Sequence, residues 1–208
     1  MKKTTIFIFL FCITAFCFCS CTKNTSEDVY FIHVVAFDEQ NSDIRLLTVT
    51  EKQSGKDSGE KKEEYFISSA KGNSISECIE KFRKQYKNCY FAASEIYLFS
   101  ENLSSQSLYD ITAEICQSST LPTKSRAVYL KNADTEAFLK AIKGQEQIKL
   151  IFSKSDTRKH SFIRFAKSFC DNGETTFVPV FSLDDNGKII FTDYDVFNYG
   201  NKEVSQNK

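Results

Sequence analysis

The sequence predicts an α/β fold of the α+β type: a mixed β-sheet of about six or seven strands with four helices in a single compact domain. Three observations predict it. Runs of β-branched and aromatic residues bounded by turn chemistry alternate with segments whose apolar residues recur at helical spacing. Only 7 Gly and 2 Pro occur among 208 residues, with 41% hydrophobic side chains, which excludes collagenous, Pro-rich and low-complexity classes and leaves apolar surface for a core. No internal repeat and no long linker divides the chain. The 27 basic and 27 acidic side chains cancel, so nothing draws the protein generally to nucleic acid or anionic lipid. No nucleic-acid partner is expected.

Residues 1–20 read as a lipoprotein signal peptide. Lys2 and Lys3 precede an apolar run from Ile6 to Phe18 broken only by Thr14, the layout of a secretory signal. The run falls short of the roughly 20 apolar residues that span a bilayer, which favours a cleaved signal. At its end, Phe18-Cys19-Ser20-Cys21 resembles the processing box of bacterial lipoproteins, in which a small residue precedes the cysteine that is lipidated and becomes the new N-terminus. Cys21 is the expected lipidation site, with an ordinary secreted protein and an uncleaved anchor as alternatives. Two acyl chains anchor stably where one is marginal, at about 0.8 kcal/mol per buried CH₂. Residues 21–28 are then the lipidated cysteine and a polar tether, 29–200 the folded domain and 201–208 a polar tail.

Within the domain, Val29 to Phe37 and Ile44 to Thr50 are β-branched and aromatic runs joined by Asp38-Glu39-Gln40-Asn41-Ser42, a hairpin. Glu51 to Glu64 holds nine charged residues of mixed sign and two glycines and reads as an exposed loop. Tyr65 to Ser69 is a strand. Ser74-Ile75-Ser76-Glu77 forms a capping box that opens a helix to about Lys87, with Ile75, Cys78, Ile79 and Phe82 on its apolar stripe. After a strand at Ile96 to Ser100, Leu108, Ile111 and Ile115 give the second helix its stripe, and Pro122 lies in the loop before the strand Ala127 to Leu130. Asp134 caps a third helix with Phe138, Leu139 and Ile142 inward, and Gly144 is placed to end it as a left-handed residue. A fourth helix runs from about Asp156 to Cys170. Phe177 to Leu183 and Lys188 to Tyr199 are strands joined by Asp184-Asp185-Asn186-Gly187, whose Asn-Gly pair suits a tight turn.

Reactive groups are few. Cys12, Cys17, Cys19 and Cys21 belong to the signal region; Cys78, Cys89, Cys116 and Cys170 match no zinc spacing and read as buried thiols, with no disulfide assigned. His33 lies inside an apolar strand and His160 near a helix start, neither with a metal-ligand partner at ligand spacing, so no metal is expected. His33 reads as a strand residue with a satisfied ring. Gly55-Lys56-Asp57-Ser58-Gly59 lacks the flanking strand and helix of a phosphate loop, and no nucleophile elbow or dinucleotide fingerprint occurs. Asp193 and Asp195 share one strand face, where paired carboxylates could bind a cation or act as acid and base, although such pairs are usually solvent-facing. No catalytic residue and no cofactor is expected, and the residues name no small-molecule ligand.

Several short stretches in order resemble the N-terminal domain of the Ger(x)C family, the lipoprotein C subunits of spore germinant receptors. They are Glu27-Asp28-Val29 through Phe37-Asp38; Ser69-Ala70-Lys71-Gly72-Asn73-Ser74-Ile75-Ser76-Glu77-Cys78; Tyr90-Phe91; Ser94-Glu95-Ile96-Tyr97-Leu98-Phe99; Glu101-Asn102-Leu103; Phe177-Val178-Pro179-Val180; and Tyr194-Asp195-Val196-Phe197. Thr22-Lys23 departs from the Trp-Asp usual after the lipidated cysteine, and only the N-terminal domain is matched. The resemblance implies a non-catalytic lipoprotein on the extracytoplasmic face of the spore inner membrane, assembled with the multi-span membrane subunits of a germinant receptor. The alternatives are a standalone envelope lipoprotein of another pathway that shares the fold and, as an enzyme, a cell-envelope hydrolase.

Overall fold

The computed structural model describes residues 28–53, 64–154, 161–170 and 176–197. In chain order these form β1 (Val29–Gln40), β2 (Asp43–Gln53), β3 (Glu64–Gly72), α1 (Ile75–Gln85), β4 (Cys89–Tyr90), a 3₁₀ turn (Phe91–Ala93), β5 (Ile96–Ser100) and α2 (Ser105–Gln117). There follow β6 (Arg126–Leu130), α3 (Thr135–Ala141), α4 (Gln145–Lys154), α5 (Phe162–Cys170), β7 (Thr176–Leu183) and β8 (Ile189–Phe197). The strands make one mixed sheet in the order β3-β2-β1-β5-β6-β7-β8, with the short β4 also paired to β1. β1, β5, β6 and β7 run parallel, and antiparallel hairpins close both sides. The α/β class and the mixed sheet are as the sequence predicts, with eight strands and five helices among the described residues.

Apolar residues cover both faces of the sheet, as parallel strands require. On one face Ile32, Val35, Phe37, Tyr97 and Phe99 pack with α1, α2 and α5 through Phe82, Ile111 and Phe165. On the other, Val34, Ala36, Leu98 and Val128 meet α3 and α4 through Phe138, Leu139, Ile148 and Ile151. Side chains alternate along a strand, so Ile32 and Val34 should share a face; they do not. The register of β1 against β2 slips between Ile32 and Val34, leaving His33 as the extra residue of a β-bulge that resets the parity of all that follows.

The turns follow local chemistry. Asn41 and Ser42 both have positive φ, 55° and 66°, in the two-residue β1–β2 loop, the handedness that matches strand twist. In the β7–β8 turn the Gly187 amide donates to the Asp184 carbonyl, and Gly187 alone takes the positive φ, 72°. Asn186 is therefore an ordinary turn residue whose amide, with that of Lys188, donates to Asp184 Oδ1. Three helices start at a capping side chain: Ser74 and Asp134, as the sequence predicts, and Ser104, which it does not single out, accept from the amides of Glu77, Ala137 and Ser107.

Several boundaries differ from expectation. Gly144 has no positive φ; α3 ends instead at Ile142, whose amide donates to Leu139 O. The fourth predicted helix is described only from Phe162, residues 155–160 and 198–208 lying outside the described residues. Helix α4 had no strong sequence signal, because only Ile148 and Ile151 face inward and no Ser, Thr, Asp or Asn precedes its start. Glu51, expected in an exposed loop, is a buried residue of β2, which continues to Gln53. Among the described residues no helix is long and apolar enough to cross a membrane.

Candidate functional site

Two polar clusters sit at opposite ends of the parallel strands. At their C-terminal ends, β1 delivers Asp38 and the turn after β5 delivers Asn102, because the two strands are parallel neighbours. Asn102 Nδ2 donates to Asp38 Oδ1 at 3.1 Å, which joins two stretches of the resemblance 64 residues apart. Asp38 is buried and also faces Arg45 of β2, 3.7 Å away, whose guanidinium reaches Glu136 of α3 at 3.5 Å. The Ser104 amide donates to Glu39 Oε2 and the Asn132 amide to Glu101 Oε1, so carboxylates tie each strand end to the next segment. Beside this end lies an open, mostly polar cleft of about 430 Å³, lined by Ser42, Asn73, Ser107, Asp110, Glu114 and Gln117. Its walls are braced by Glu114, which accepts from both the amide and hydroxyl of Ser76.

The second cluster is the bulge. The buried His33 ring lies between two carboxylates, Nε2 at 2.9 Å from Glu51 Oε2 and Nδ1 at 3.2 Å from Glu95 Oε1. Glu51 also accepts from Gln53 Nε2 at 2.9 Å and from Tyr65. Glu95 is placed by its backbone, whose amide donates to His33 O and whose carbonyl accepts from the Arg126 amide. Burial opposes the charged ring, but the hydrogen bonds and charges of Glu95 and Glu51 outweigh it and raise the His33 pKa above its usual 6.5. Burial likewise pushes Glu51 up, yet the bonds from Gln53 and His33 bring it below its usual 4.5. Carboxylates only accept, so both ring nitrogens donate only when the imidazole is charged. The arrangement is a buried, protonation-dependent clamp on the bulge. Next to it, Arg126 lays its guanidinium 3.0 Å from the Phe152 ring centre and donates to the Phe152 carbonyl.

The ring of His33 is thus satisfied, as the sequence suggested, but its partners were hidden: Glu51 was assigned to a loop and Glu95 is 62 residues away. Asp193 and Asp195 do share a face of β8, opposite Val180 and Val178, and both lie away from the two clusters, Asp195 pairing with Lys131 at 3.6 Å. Cys78 is a buried free thiol that donates to Ile44 O, its pKa pushed up to about 11 by burial; Cys89 is a free, half-buried thiol in β4. Cys116, expected to be buried, is exposed on α2. Cys21, His160 and the Gly55–Gly59 stretch lie outside the described residues. Among the described residues no three His, Cys, Asp or Glu side chains are grouped to hold a metal ion.

Residues 23–183 match the sequence model of a family described as the spore germination protein N-terminal domain. No curated protein and no solved structure is matched. The matched region takes in both polar clusters and ends with β7, one turn before β8.

Proposed function

Since the chain belongs to the spore germination protein N-terminal domain family, we propose that it is a membrane-anchored lipoprotein component of a spore germinant receptor, acting by protein interaction. One observation carries this reading: the family region begins at residue 23, two residues after the lipidation motif that ends in Cys21. A lipid on that cysteine would hold a germination domain directly against the extracytoplasmic face of the spore inner membrane. The partners are the multi-span membrane subunits of the receptor. The polar cleft and the exposed hairpin at Asp184–Lys188 lie at the end of the sheet remote from Val29, where a neighbouring protein can be met.

Pull-down of the tagged protein from spore membranes should bring multi-span receptor subunits with it. Crosslinking from Lys188, exposed beyond the β7–β8 turn, should trap the same proteins. Crosslinks to lipid or wall polymer alone, with those subunits present in the membrane, would overturn the receptor role and leave a standalone envelope lipoprotein.

A further inference from the structure

Five aromatic rings surround the point where the chain enters the fold. Tyr30 meets Phe66 and Tyr86 edge-on, with ring centres 5.9 and 5.1 Å apart, on the α1 side of the sheet. Phe31 points to the opposite face and stacks on Tyr90 at 5.6 Å. None of the five is fully buried, and Tyr90 is 52% exposed, more than any other large apolar residue described except Phe177. Tyr86 also packs on the buried Phe82, ring centres 4.8 Å apart, so the set forms the partly exposed rim of the core. The exposed Lys84 and Lys87 flank them at the end of α1. Asp28, two residues before Tyr30, is held by Lys52 Nζ at 2.9 Å and by Asn88 Nδ2, which donates to the Asp28 carbonyl. The described chain therefore begins beside these rings.

We infer that this end of the domain is a membrane-facing surface, with the five rings and two lysines seated against the lipid headgroups. The inference rests on the lipidation of Cys21 proposed above. From Cys21 to Asp28 the chain reaches at most about 25 Å when fully extended. From Tyr30 to Gln40 the strand β1 rises about 33 Å. A domain inverted on the membrane would need a tether longer than the one it has, so the Val29 end must lie nearer the bilayer. Tyrosines and lysines are the residues that suit such a layer, because a ring buries its body among acyl carbons while its hydroxyl stays wet, and lysine extends its ammonium to phosphate. The polar cleft and the β7–β8 turn, at the other end, then face away from the lipid.

The chain contains no Trp, so Tyr90→Trp gives a single fluorescent reporter at the proposed surface. Tyr109→Trp, on the exposed face of the first half of α2 at the opposite end of the sheet, gives the control. Each full-length protein would be made in a lipidating bacterial host and reconstituted into phosphatidylglycerol and phosphatidylethanolamine vesicles with and without nitroxide-labelled lipid. Mass spectrometry of the N-terminal peptide would report acylation separately. The expected result is an acylated protein in which the indole of the Tyr90→Trp variant is quenched several-fold more strongly than that of the control, with emission shifted to the blue. Acylation with equal quenching in the two variants, or with stronger quenching in the control, would overturn the membrane-facing surface while leaving the anchor intact. No acylation and no quenching would overturn both. No acylation with the Tyr90→Trp indole still preferentially quenched would overturn the anchor and keep the surface. A blue shift of that indole that needs receptor-containing membranes and is absent in pure lipid would assign the rings to a protein partner, overturning the lipid assignment.

Discussion

Replacing His33 by Leu tests whether the clamp holds the bulge. The substitution removes a ring whose side chain is 11% exposed and leaves Glu51, 8% exposed, without its cation. Breaking one partner of a buried ion pair costs about 3–5 kcal/mol, because the remaining charge has lost both water and counter-charge. Gln53 and Tyr65 still donate to Glu51, which places the expected cost near the lower bound, about 3 kcal/mol. For a chain of this length that corresponds to a fall in Tm of about 6–12 °C. The pH dependence has a definite sign. The raised pKa of His33 means its contribution is complete below 6.5 and is lost as pH rises through the folded value; the lowered pKa of Glu51 means its contribution is complete above 4.5 and is lost as pH falls through the folded value. The difference in stability between wild type and His33→Leu, measured by urea unfolding over a pH series, should therefore be largest between 4.5 and 6.5 and shrink on both sides. Adding Glu51→Leu should recover much of the loss, since two apolar side chains leave no orphaned charge. A cost below about 1 kcal/mol that is flat with pH, or a double variant no better than the single, would refute the electrostatic account and leave His33 a spacer in the bulge.

Cys21→Ala should release the protein from membranes or stall its processing, as fractionation and mass would show; a variant that stays membrane-bound at the mature size would remove the basis for the anchor. Ser74→Ala deletes the oxygen that accepts from the Glu77 amide at 3.1 Å and should lower stability by about 0.5–2 kcal/mol in denaturant titrations. Gly72→Ala should cost about 1 kcal/mol or more, since a Cβ there would stand 3.0 Å from the Glu77 carboxyl and 3.1 Å from its Cβ. Combining it with Glu77→Ala should return part of that loss, and a Gly72→Ala protein as stable as wild type would show that Glu77 has room to move.

The start of α1 illustrates how far local chemistry reads and where it stops. Ser74 caps Glu77 as the capping box requires, but the Glu77 carboxylate returns to the Asn73 amide, one residue earlier than the box predicts, and the same carboxyl group lies 3.0 Å from where a Cβ on Gly72 would stand. What distinguishes that glycine is this close approach and not a positive φ. The charge-rich stretch after β2 shows the opposite limit. Its composition describes a loop, yet pairing with Phe31 and Tyr65 draws Glu51 into the sheet and buries it beside His33.

What the sequence determined by itself was whatever depends on neighbours a few residues apart: the α/β class, the helix caps at Ser74 and Asp134, and the turns at Asn41 and Gly187. Periodicity and capping act over one or two turns of chain, so they are written locally. The tertiary structure alone decided the bulge at His33 and its two carboxylates, the meeting of Asp38 with Asn102, and the gathering of Tyr30, Phe31, Phe66, Tyr86 and Tyr90 at one end. Each of these joins segments tens of residues apart. Their contact is set by the order β3-β2-β1-β5 and its register, which follow from burying both faces of the sheet at once and from no local stretch of the chain.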